Sequence, residues 1–361
     1  EQIHSMNLLI RDSKKSKLSP RFINLDEIYQ YVFLSKFCNG GNYYGDEDNA
    51  VVKKKLEFIE NFFYEVNQIN RGTASHLAIS IKNEMHNQYI LQKIELGSKC
   101  AVKERIKIAI ANIKLDTKRC CLGLACGDDV EIDRLRLIDF MDRAYANGKS
   151  EKVDFLVFPE FYMPALWLND IGEFAKKSGI TIISGLQYIT CNKNVYNIIC
   201  VLASTCGNSF FKNIIPFFRE KNYYAPDERL ELAALGYNCF NPQEAEYYLL
   251  SDQNVSFSTI LCFEFTDIAS RAIMKGDLDF LCVPQLNRDT NYFSSIVESA
   301  ARDLHTLVVQ ANTSIYGDSR ITGPYKTDYK DVLKIKGGEN ELLIVGKLKT
   351  KELQEFREKY Y

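Results

Sequence analysis

The sequence predicts a protein of the α/β class, and three observations support this prediction. First, from Arg105 onward short apolar runs alternate with amphipathic stretches, which is the pattern of strands that alternate with helices. Second, the apolar runs are nearly continuous, so their strands are expected to be buried on at least one face. Third, 46 % of the 361 residues are hydrophobic and 25 % are charged, which allows a sizeable core.

The order of the elements follows from these runs. Strands are predicted where apolar residues form short runs: 106–113, 153–160, 181–188, 198–205, 256–265, 279–284, 306–312 and 341–348. Helices are predicted where apolar residues recur at helical spacing: 133–148, 171–179, 268–275 and 294–305. Gly148 is expected to end the first of these helices, because glycine readily adopts the conformation found at helix C-termini.

The first hundred residues differ in character and predict a mainly helical segment. Helical spacing of apolar residues predicts helices in three stretches: 25–37, 51–69 and 74–96. Residues 38–49 are rich in Gly, Asn and Asp and predict a loop, and 97–104 are expected to be a linker. The chain is therefore expected to divide into a mainly helical segment or linker module, 1–104, and an α/β domain, 105–361.

Charge and cysteine content narrow the classes of function. The 45 Lys and Arg residues nearly balance 47 Asp and Glu residues, and the net charge of −2 disfavours a general electrostatic grip on nucleic acid. No apolar run is long enough to span a membrane, and the first residues lack the layout of a signal peptide. The 11 cysteines form no CxxC pair or zinc spacing, as expected for free thiols in a reducing cytoplasm.

Three residues of different chemistry follow or end strand-like runs. Glu160 and Cys262 lie at the ends of predicted strands, and Lys212 lies in the predicted loop after another. Each alone has an ordinary explanation, namely a surface carboxylate, a core thiol and a solvated lysine. Because functional groups collect where the strands of an α/β sheet end, an acid, a thiol and a base at three such places favour a catalytic site.

The scarcity of histidine limits the mechanisms open to a cysteine nucleophile. A thiol needs a base to form thiolate, and histidine is the usual partner. Within residues 105–361 the one histidine is His305, which stands at the end of a predicted helix as an ordinary boundary residue. A buried carboxylate can act as the base instead, and a lysine near the same carbonyl can stabilise the oxyanion. Cys, Glu and Lys are therefore sufficient for attack on an amide or nitrile carbon.

Four segments resemble, in order, the nitrilase or carbon–nitrogen hydrolase superfamily, over about residues 105–350. Residues 158–160 (FPE) resemble the segment with the family's catalytic Glu, and 211–224 (FKNIIPFFREKNYY) are similar to its Lys motif. Residues 260–284 resemble the nucleophile motif, and 308–324 the late signature with Ala-Asn and Gly-x-Ser. The resemblance implies a nitrilase-like αββα sandwich behind an N-terminal, mainly helical segment.

The resemblance also implies roles for the three chemical residues. Cys262 would attack the substrate, Glu160 would shuttle the proton, and Lys212 would stabilise the tetrahedral intermediate. An acyl-thioester would form and water would release the acid. The implied substrate is a small amide or carbamoyl compound, less readily a nitrile, and no metal or organic cofactor is needed.

Residues around the nucleophile complete this assignment and also depart from the family pattern. The resemblance implies that Glu220 holds Lys212, that the backbone N–H of Phe263 donates to the oxyanion, and that Arg271 belongs to the nucleophile motif. Glu264 stands where the family usually has Asp, Phe263 replaces a common Trp, and a common Gly before the cysteine is missing. These departures concern the pocket more than the catalytic residue types, so the substrate stays undefined.

Three functions are compatible with the sequence: an active amidase or carbamoylase, a catalytically quiet or regulatory module of a larger assembly, and an acyltransferase or ammonia-supplying glutaminase. The resemblance implies pairing through a helical face, and the small apolar residues of 268–275 predict a two-fold symmetric homo-oligomer. The sequence does not begin with Met, so we expect a piece of a longer protein. Nitrilase domains occur fused to other modules, and a reverse transcriptase of bacterial antiviral defence is one candidate for an upstream partner.

Overall fold

The computed structural model describes nine ranges of the chain: 79–96, 105–115, 128–147, 153–191, 193–206, 212–242, 244–252, 255–338 and 340–360. The predictions made for 25–37, 38–49, 51–69 and 97–104 and the helix end at Gly148 lie outside the described residues.

The described residues form an alternation of strands and helices. The strands are β1 (Ile79–His86), β2 (Tyr89–Leu96), β3 (Ile106–Asn112), β4 (Phe155–Val157), β5 (Thr181–Gly185), β6 (Ile189–Cys191), β7 (Asn194–Tyr196), β8 (Ile198–Cys206), β9 (Lys212–Glu220), β10 (Asn238–Cys239), β11 (Ala245–Ser251), β12 (Ser256–Thr259), β13 (Phe280–Pro284), β14 (Leu307–Ala311), β15 (Arg320–Thr322), β16 (Asp331–Lys334) and β17 (Leu342–Leu348). The α-helices are α1 (Asp128–Asn147), α2 (Leu168–Ser178), α3 (Pro226–Ala234), α4 (Ile268–Ala272), α5 (Thr290–Leu304) and α6 (Thr350–Tyr360). Short 3₁₀ helices cover Ala165–Trp167, Cys262–Thr266 and Thr327–Tyr329.

Two large sheets form the centre of the fold. One sheet has the strand order β1-β2-β11-β12-β13-β14-β15-β16, and the other has the order β17-β3-β4-β5-β8-β9. Parallel pairs such as β3–β4, β4–β5, β12–β13 and β13–β14 lie in the interior of the sheets. Their continuous apolar sequences therefore reflect burial on both faces.

The sheets pack against each other through one apolar layer. Phe155 of the six-stranded sheet meets Phe257 and Phe280 of the eight-stranded sheet edge to face, at ring-centroid distances of 5.2 and 5.0 Å. Phe257 and Phe280 stack on each other at 5.1 Å. These edge-to-face and stacked geometries are favourable for aromatic pairs. The layer fixes how the two sheets face each other.

Helices cover the outer face of each sheet. Phe140 of α1 and Ile171 of α2 pack in one core cluster with Leu156 of β4. Val297 of α5 packs with Val308 of β14 in another cluster on the far side. The described residues are thus layered as helix, sheet, sheet and helix, which confirms the α/β prediction and the αββα arrangement.

The prediction of a helix at 74–96 is wrong over the described residues 79–96, which form the antiparallel hairpin β1–β2. Asn87 in its turn has a φ of 55°, a conformation that asparagine tolerates better than most residues. β2 runs parallel to β11 with Tyr89 opposite Ala245, so the hairpin extends the eight-stranded sheet. The predicted boundary between 1–104 and 105–361 therefore divides residues that share one sheet.

Two further segments differ from prediction and both bear on the site. Residues 212–220 are strand β9 and not a loop, and they pair along their whole length with β8. The apolar run at 256–265 is strand only to Thr259, after which Cys262 begins a 3₁₀ helix. Within the described residues, no helix has the length and apolar character needed to cross a membrane.

Candidate active site

Glu160 lies just beyond strand β4 and is almost completely buried. Its Oε1 accepts hydrogen bonds from Lys221 Nζ at 3.0 Å and from Asn197 Nδ2 at 2.9 Å. Its Oε2 accepts one from the backbone N–H of Leu286 at 3.2 Å. A buried carboxylate needs such donors because it has lost its water. The structure thus places the predicted acid in the interior and not on a surface turn.

Lys221 is the lysine that the structure brings to Glu160. It follows the last residue of β9 and is buried. Its ammonium also donates to Glu228 Oε2 at 2.7 Å, and it lies 5.4 Å from the centroid of the Tyr224 ring. One cation is therefore held between two carboxylates and an aromatic face, which keeps its position well defined.

Lys212 and Glu220, the lysine and second carboxylate expected from the sequence, are not the residues that this geometry brings to Glu160. Lys212 is the first residue of β9 and pairs with Cys206, whereas Glu220 is the last and pairs with Ile198. At about 3.3 Å per residue, the length of the strand puts Lys212 roughly 30 Å from Lys221. Lys212 is therefore remote from Glu160, because the two ends of an extended strand lie at opposite ends of the sheet.

Glu228, and not Glu220, is the second carboxylate that holds the buried lysine. It stands in the first turn of α3, where its Oε2 also accepts the backbone N–H of Ala225 at 3.2 Å. Its Oε1 accepts Tyr188 Oη–H at 2.6 Å and Asn197 Nδ2 at 3.2 Å. Asn197 therefore bridges Glu160 and Glu228 and fixes the spacing of the two carboxylates.

Cys262 occupies a tight turn between β12 and the 3₁₀ helix that it begins. Its φ of 41° is positive, which costs energy for any residue with a Cβ and occurs mostly at functional sites. The residue as a whole is partly exposed, in contrast to Cys200 and Cys282, which are buried in the core. Among the described free cysteines, Cys262 is the one that combines a positive φ with electrostatic interactions with Glu160 and Lys221.

Burial and neighbouring charges shift the pKa values of Glu160, Cys262 and Lys221. Burial raises the pKa of the Glu160 carboxyl, and Lys221 opposes this rise. Burial also raises the pKa of the Cys262 thiol well above its ordinary value, with the charge of Glu160 adding to the effect and that of Lys221 opposing it. Burial works against the charged form of Lys221, but Glu160 and Glu228 outweigh it and hold the pKa of the ammonium well above its ordinary value. Cys262 is therefore electrostatically linked to both groups.

Glu264 has a structural part in the site, because its hydrogen bonds go to Arg219 and to backbone groups. This buried carboxylate accepts two hydrogen bonds from the Arg219 guanidinium, at 2.9 and 2.8 Å. It also accepts the backbone N–H of Leu261 at 2.8 Å and that of Asn222. Because Leu261 precedes Cys262 and Asn222 follows Lys221, Glu264 ties the two segments together.

Phe263 and Arg271, the other two predicted supporting residues, lie on either side of Glu264. Phe263 lines a cavity of about 350 Å³ beside the nucleophile turn. Arg271 in α4 donates from Nε to the backbone oxygen of Asp267 at 3.3 Å, and its guanidinium lies 5.3 Å from the Phe265 ring centroid. Arg271 therefore supports the turn that follows the nucleophile.

Sequence reasoning missed Lys221, Glu228, Asn197 and Tyr188. The sequence did carry a signal for Lys221. Residues 212–220 contain an apolar stretch that is more typical of a strand than of a loop, and Lys221 follows them directly. Asn197 and Tyr188 lie in short connections whose sequences carry no pattern of their own. Within the described ranges, no group of three or more His, Cys, Asp or Glu residues could hold a metal ion.

Solved structures with the same fold exist, although sequence comparison finds no relative. No protein-family model matches the sequence, and no curated protein does so either. XC1258 from Xanthomonas campestris, a CN-hydrolase superfamily protein, aligns over 72 % of this chain and 96 % of its own, with a TM-score of 0.52 and 11 % identity. A carbon–nitrogen hydrolase from Helicobacter pylori G27 aligns over 71 % and 93 %, also with a TM-score of 0.52 and 11 % identity. This chain therefore has the same fold as these two structures.

Proposed function

We propose that this protein hydrolyses a carbon–nitrogen bond of a small amide or carbamoyl compound, less readily of a nitrile, with Cys262 as nucleophile. The observation that carries the proposal is the buried pair of Glu160 and Lys221, held by the partly buried Glu228 and electrostatically linked to a cysteine in a strained turn. Buried charges are costly, so a site that keeps two of them beside a thiol is better explained by chemistry than by stability. Lys221 takes the role that the sequence resemblance gave to Lys212.

In the first half-reaction Glu160 acts as the base and then as the acid. The Cys262 thiol gives its proton to the Glu160 carboxylate as the sulfur attacks the carbonyl carbon. The resulting oxyanion is stabilised by the Lys221 ammonium and by the backbone N–H of Phe263. Glu160 then passes its proton to the departing nitrogen, so that ammonia or an amine leaves and an acyl-thioester remains.

In the second half-reaction the thioester is cleaved by water. Glu160, a carboxylate again, takes a proton from water as the oxygen attacks the thioester carbon. The sulfur leaves and regains a proton from Glu160, which restores both groups and releases the acid. The raised pKa values of Glu160 and Cys262 suit this exchange, because neither group then holds its charge so firmly that the proton cannot move.

Release of ammonia and trapping of the thioester test the proposal. Purified protein is offered a panel of small amides, with hydroxylamine added to convert any thioester into a hydroxamate. We expect ammonia release, a hydroxamate in samples that contain hydroxylamine, and an acyl mass on the Cys262 peptide in samples quenched without it. Cys262→Ala should lower the rate on the order of 10⁴-fold or more, whereas Cys282→Ala, a change in the core, should keep it.

The result also separates the alternatives. A catalytically quiet or regulatory module would release no ammonia from any amide and would form no adduct at Cys262. An acyltransferase would pass the acyl group to an added amine faster than to water. The buried pair of Glu160 and Lys221 favours an active enzyme, since burying two charges costs stability and a catalytically quiet module has no use for them. Fusion to an upstream module, such as a reverse transcriptase of antiviral defence, stays a prediction from the sequence.

A further inference from the structure

The tip of the β1–β2 hairpin is fastened to the nucleophile segment. Tyr89 begins β2, and its hydroxyl donates to Asp267 Oδ2 at 2.8 Å. Gln88 in the turn donates from Nε2 to the same Tyr89 oxygen at 2.9 Å. Asp267 directly follows the 3₁₀ helix that Cys262 begins. A hairpin that precedes the hydrolase-like sequence therefore reaches the site.

Two neighbouring cavities lie between this hairpin tip and the nucleophile segment. One has a volume of about 350 Å³ and the other about 240 Å³. They share Gln88, Tyr223 and Arg229, so we treat them as one cleft and call it the hairpin cleft. Phe263 lines the larger cavity, one residue from the nucleophile, and Asn241 lines the smaller. The cleft therefore adjoins the segment that carries Cys262 and extends from it toward Asn241.

Charge and hydrogen-bond capacity are unequal along the hairpin cleft. Asp267 contributes a carboxylate, but it already accepts bonds from Tyr89 and from the backbone N–H groups of Ala269 and Ser270. Arg229 lines both cavities and is exposed, and its Nη2 makes a long 3.4 Å contact with Asn241. A guanidinium has five N–H donors in a flat fork, so Arg229 can still bind an anion with two of them.

We propose that the hairpin cleft binds the acyl chain of the substrate and selects amides that carry a carboxylate at the far end. Arg229 pairs with that carboxylate, Gln88 adds a hydrogen bond, and the Tyr223 ring packs on the chain between. Arg229 and Gln88 are then specificity-determining residues, and residues before 105 take part in substrate recognition. The proposal rests on the proposed function, because it assumes that Cys262 attacks the amide.

A pair of amides of equal length tests the selection. Succinamate carries a terminal carboxylate and butyramide does not, so the ratio of their kcat/KM values isolates the anion. We expect succinamate to be preferred, and Arg229→Gln to lower its kcat/KM about tenfold or more through KM, with butyramide within twofold. Arg229→Lys should keep part of the preference, and Gln88→Ala should weaken it by a few fold. Arg143→Gln, a matched change of an exposed arginine on α1, should alter neither substrate.

Alkylation of Cys262 provides a second test, which does not require the protein to turn over a substrate. 4-Iodobutanoate is anionic and 4-iodobutanamide neutral, and their terminal groups stand as far from the attacked carbon as the carboxylate of succinamate does. The label on the Cys262 peptide is measured by mass, and we expect Arg229→Gln to slow 4-iodobutanoate relative to 4-iodobutanamide several fold. If neither amide is hydrolysed, the panel of amides decides the proposed function, and the alkylation ratio alone decides the cleft. An unchanged selectivity and an unchanged alkylation ratio in Arg229→Gln would overturn the inference.

Discussion

Lys221 is the residue whose charge matters most within the proposed site. Lys221→Met removes the cation that stabilises the oxyanion, and we expect a loss of kcat/KM on the order of 10²–10³-fold. It also leaves Glu160 and Glu228 close together without their shared partner, so unfolding should become easier by about 3–5 kcal/mol. Steady-state kinetics and thermal unfolding measure the two effects.

Lys212→Met is the matched control for this change. The same side chain is removed, but from the start of β9 and not from its end. We expect rates within a few fold of the unmodified protein and unchanged unfolding. Equal losses in both variants, or a loss confined to Lys212→Met, would contradict the placement of the catalytic lysine at position 221.

Glu160 should set the acidic limb of the pH–rate profile. The proposed base must be ionised, and burial raises the pKa of its carboxyl above the ordinary value. As the pH falls through this raised pKa, Glu160 gains a proton and activity should fall, so the limb should lie above the range of an exposed carboxylate. Glu160→Gln should lose the limb and about 10²–10⁴-fold in kcat/KM. A limb that persists in this variant would show that another group is titrating.

At the scale of the elements, close contact between two strand ends positions Glu160. Gly185 ends β5, and a Cβ there would lie 2.7 Å from Glu160 Cα and 2.9 Å from the Phe161 nitrogen. Phe161 itself has a positive φ of 61°, so this backbone is already strained. The two segments can approach this closely because position 185 has no side chain.

Gly185→Ala should therefore displace Glu160 without touching its carboxylate. We expect unfolding to become easier by about 1–3 kcal/mol through overpacking, together with a clear fall in kcat/KM. Ser184→Ala is the control, since Ser184 lies on the same strand and loses only a bond from Oγ to the Gly185 oxygen. Ser184→Ala should lower the free energy of unfolding by about 1 kcal/mol and leave kcat/KM nearly unchanged. Full activity in Gly185→Ala would contradict the positioning role.

How much the sequence could predict varies from element to element. Buried parallel strands such as β13 and β14 were predicted almost to their ends, because burial on both faces leaves an apolar run. The hairpin β1–β2 was not predicted. An edge hairpin with one solvent-exposed face mixes polar and apolar residues in a way that also fits a helix. Strand β9 contains a proline, which is unfavourable in the interior of a sheet. The strand tolerates it because β9 is the edge strand of the six-stranded sheet.

In the candidate site, too, local patterns were informative and long-range contacts were not. Glu160 and Cys262 could be singled out because each ends an apolar run in the sequence. The choice of lysine depends on the direction and length of β9, and the motif pointed to Lys212, nine residues before Lys221. Asn197, Tyr188 and Glu228 are brought together by the packing of separate segments, and such long-range contacts leave no local pattern in a sequence.

At the scale of the whole molecule, α4 presents an apolar surface that the described part of the chain leaves uncovered. Ile268 is 73 % exposed, and Ala269 and Ala272 are exposed beside it. The alternative that this helix faces only its own sheet does not hold for these three side chains, although Ile273 packs inward. Small apolar residues on an exposed helix allow a second helix to approach closely. We therefore expect a two-fold symmetric dimer in which α4 of one subunit lies near α4 of the other.

Ile268→Asp tests this dimer. A charge at the centre of an apolar contact costs about 2 kcal/mol or more, which weakens the dimer by a factor of about 30 or more. Sedimentation at micromolar concentration should then show a shift toward monomer, whereas Ile81→Asp, at another exposed isoleucine on the hairpin, should remain dimeric. Because Asp267 caps α4 and binds Tyr89 of the hairpin, contact between two copies of α4 would also hold the wall of the hairpin cleft in place. Loss of the dimer should therefore raise KM before it lowers kcat, and a monomeric Ile268→Asp variant with an unchanged KM would separate assembly from substrate binding.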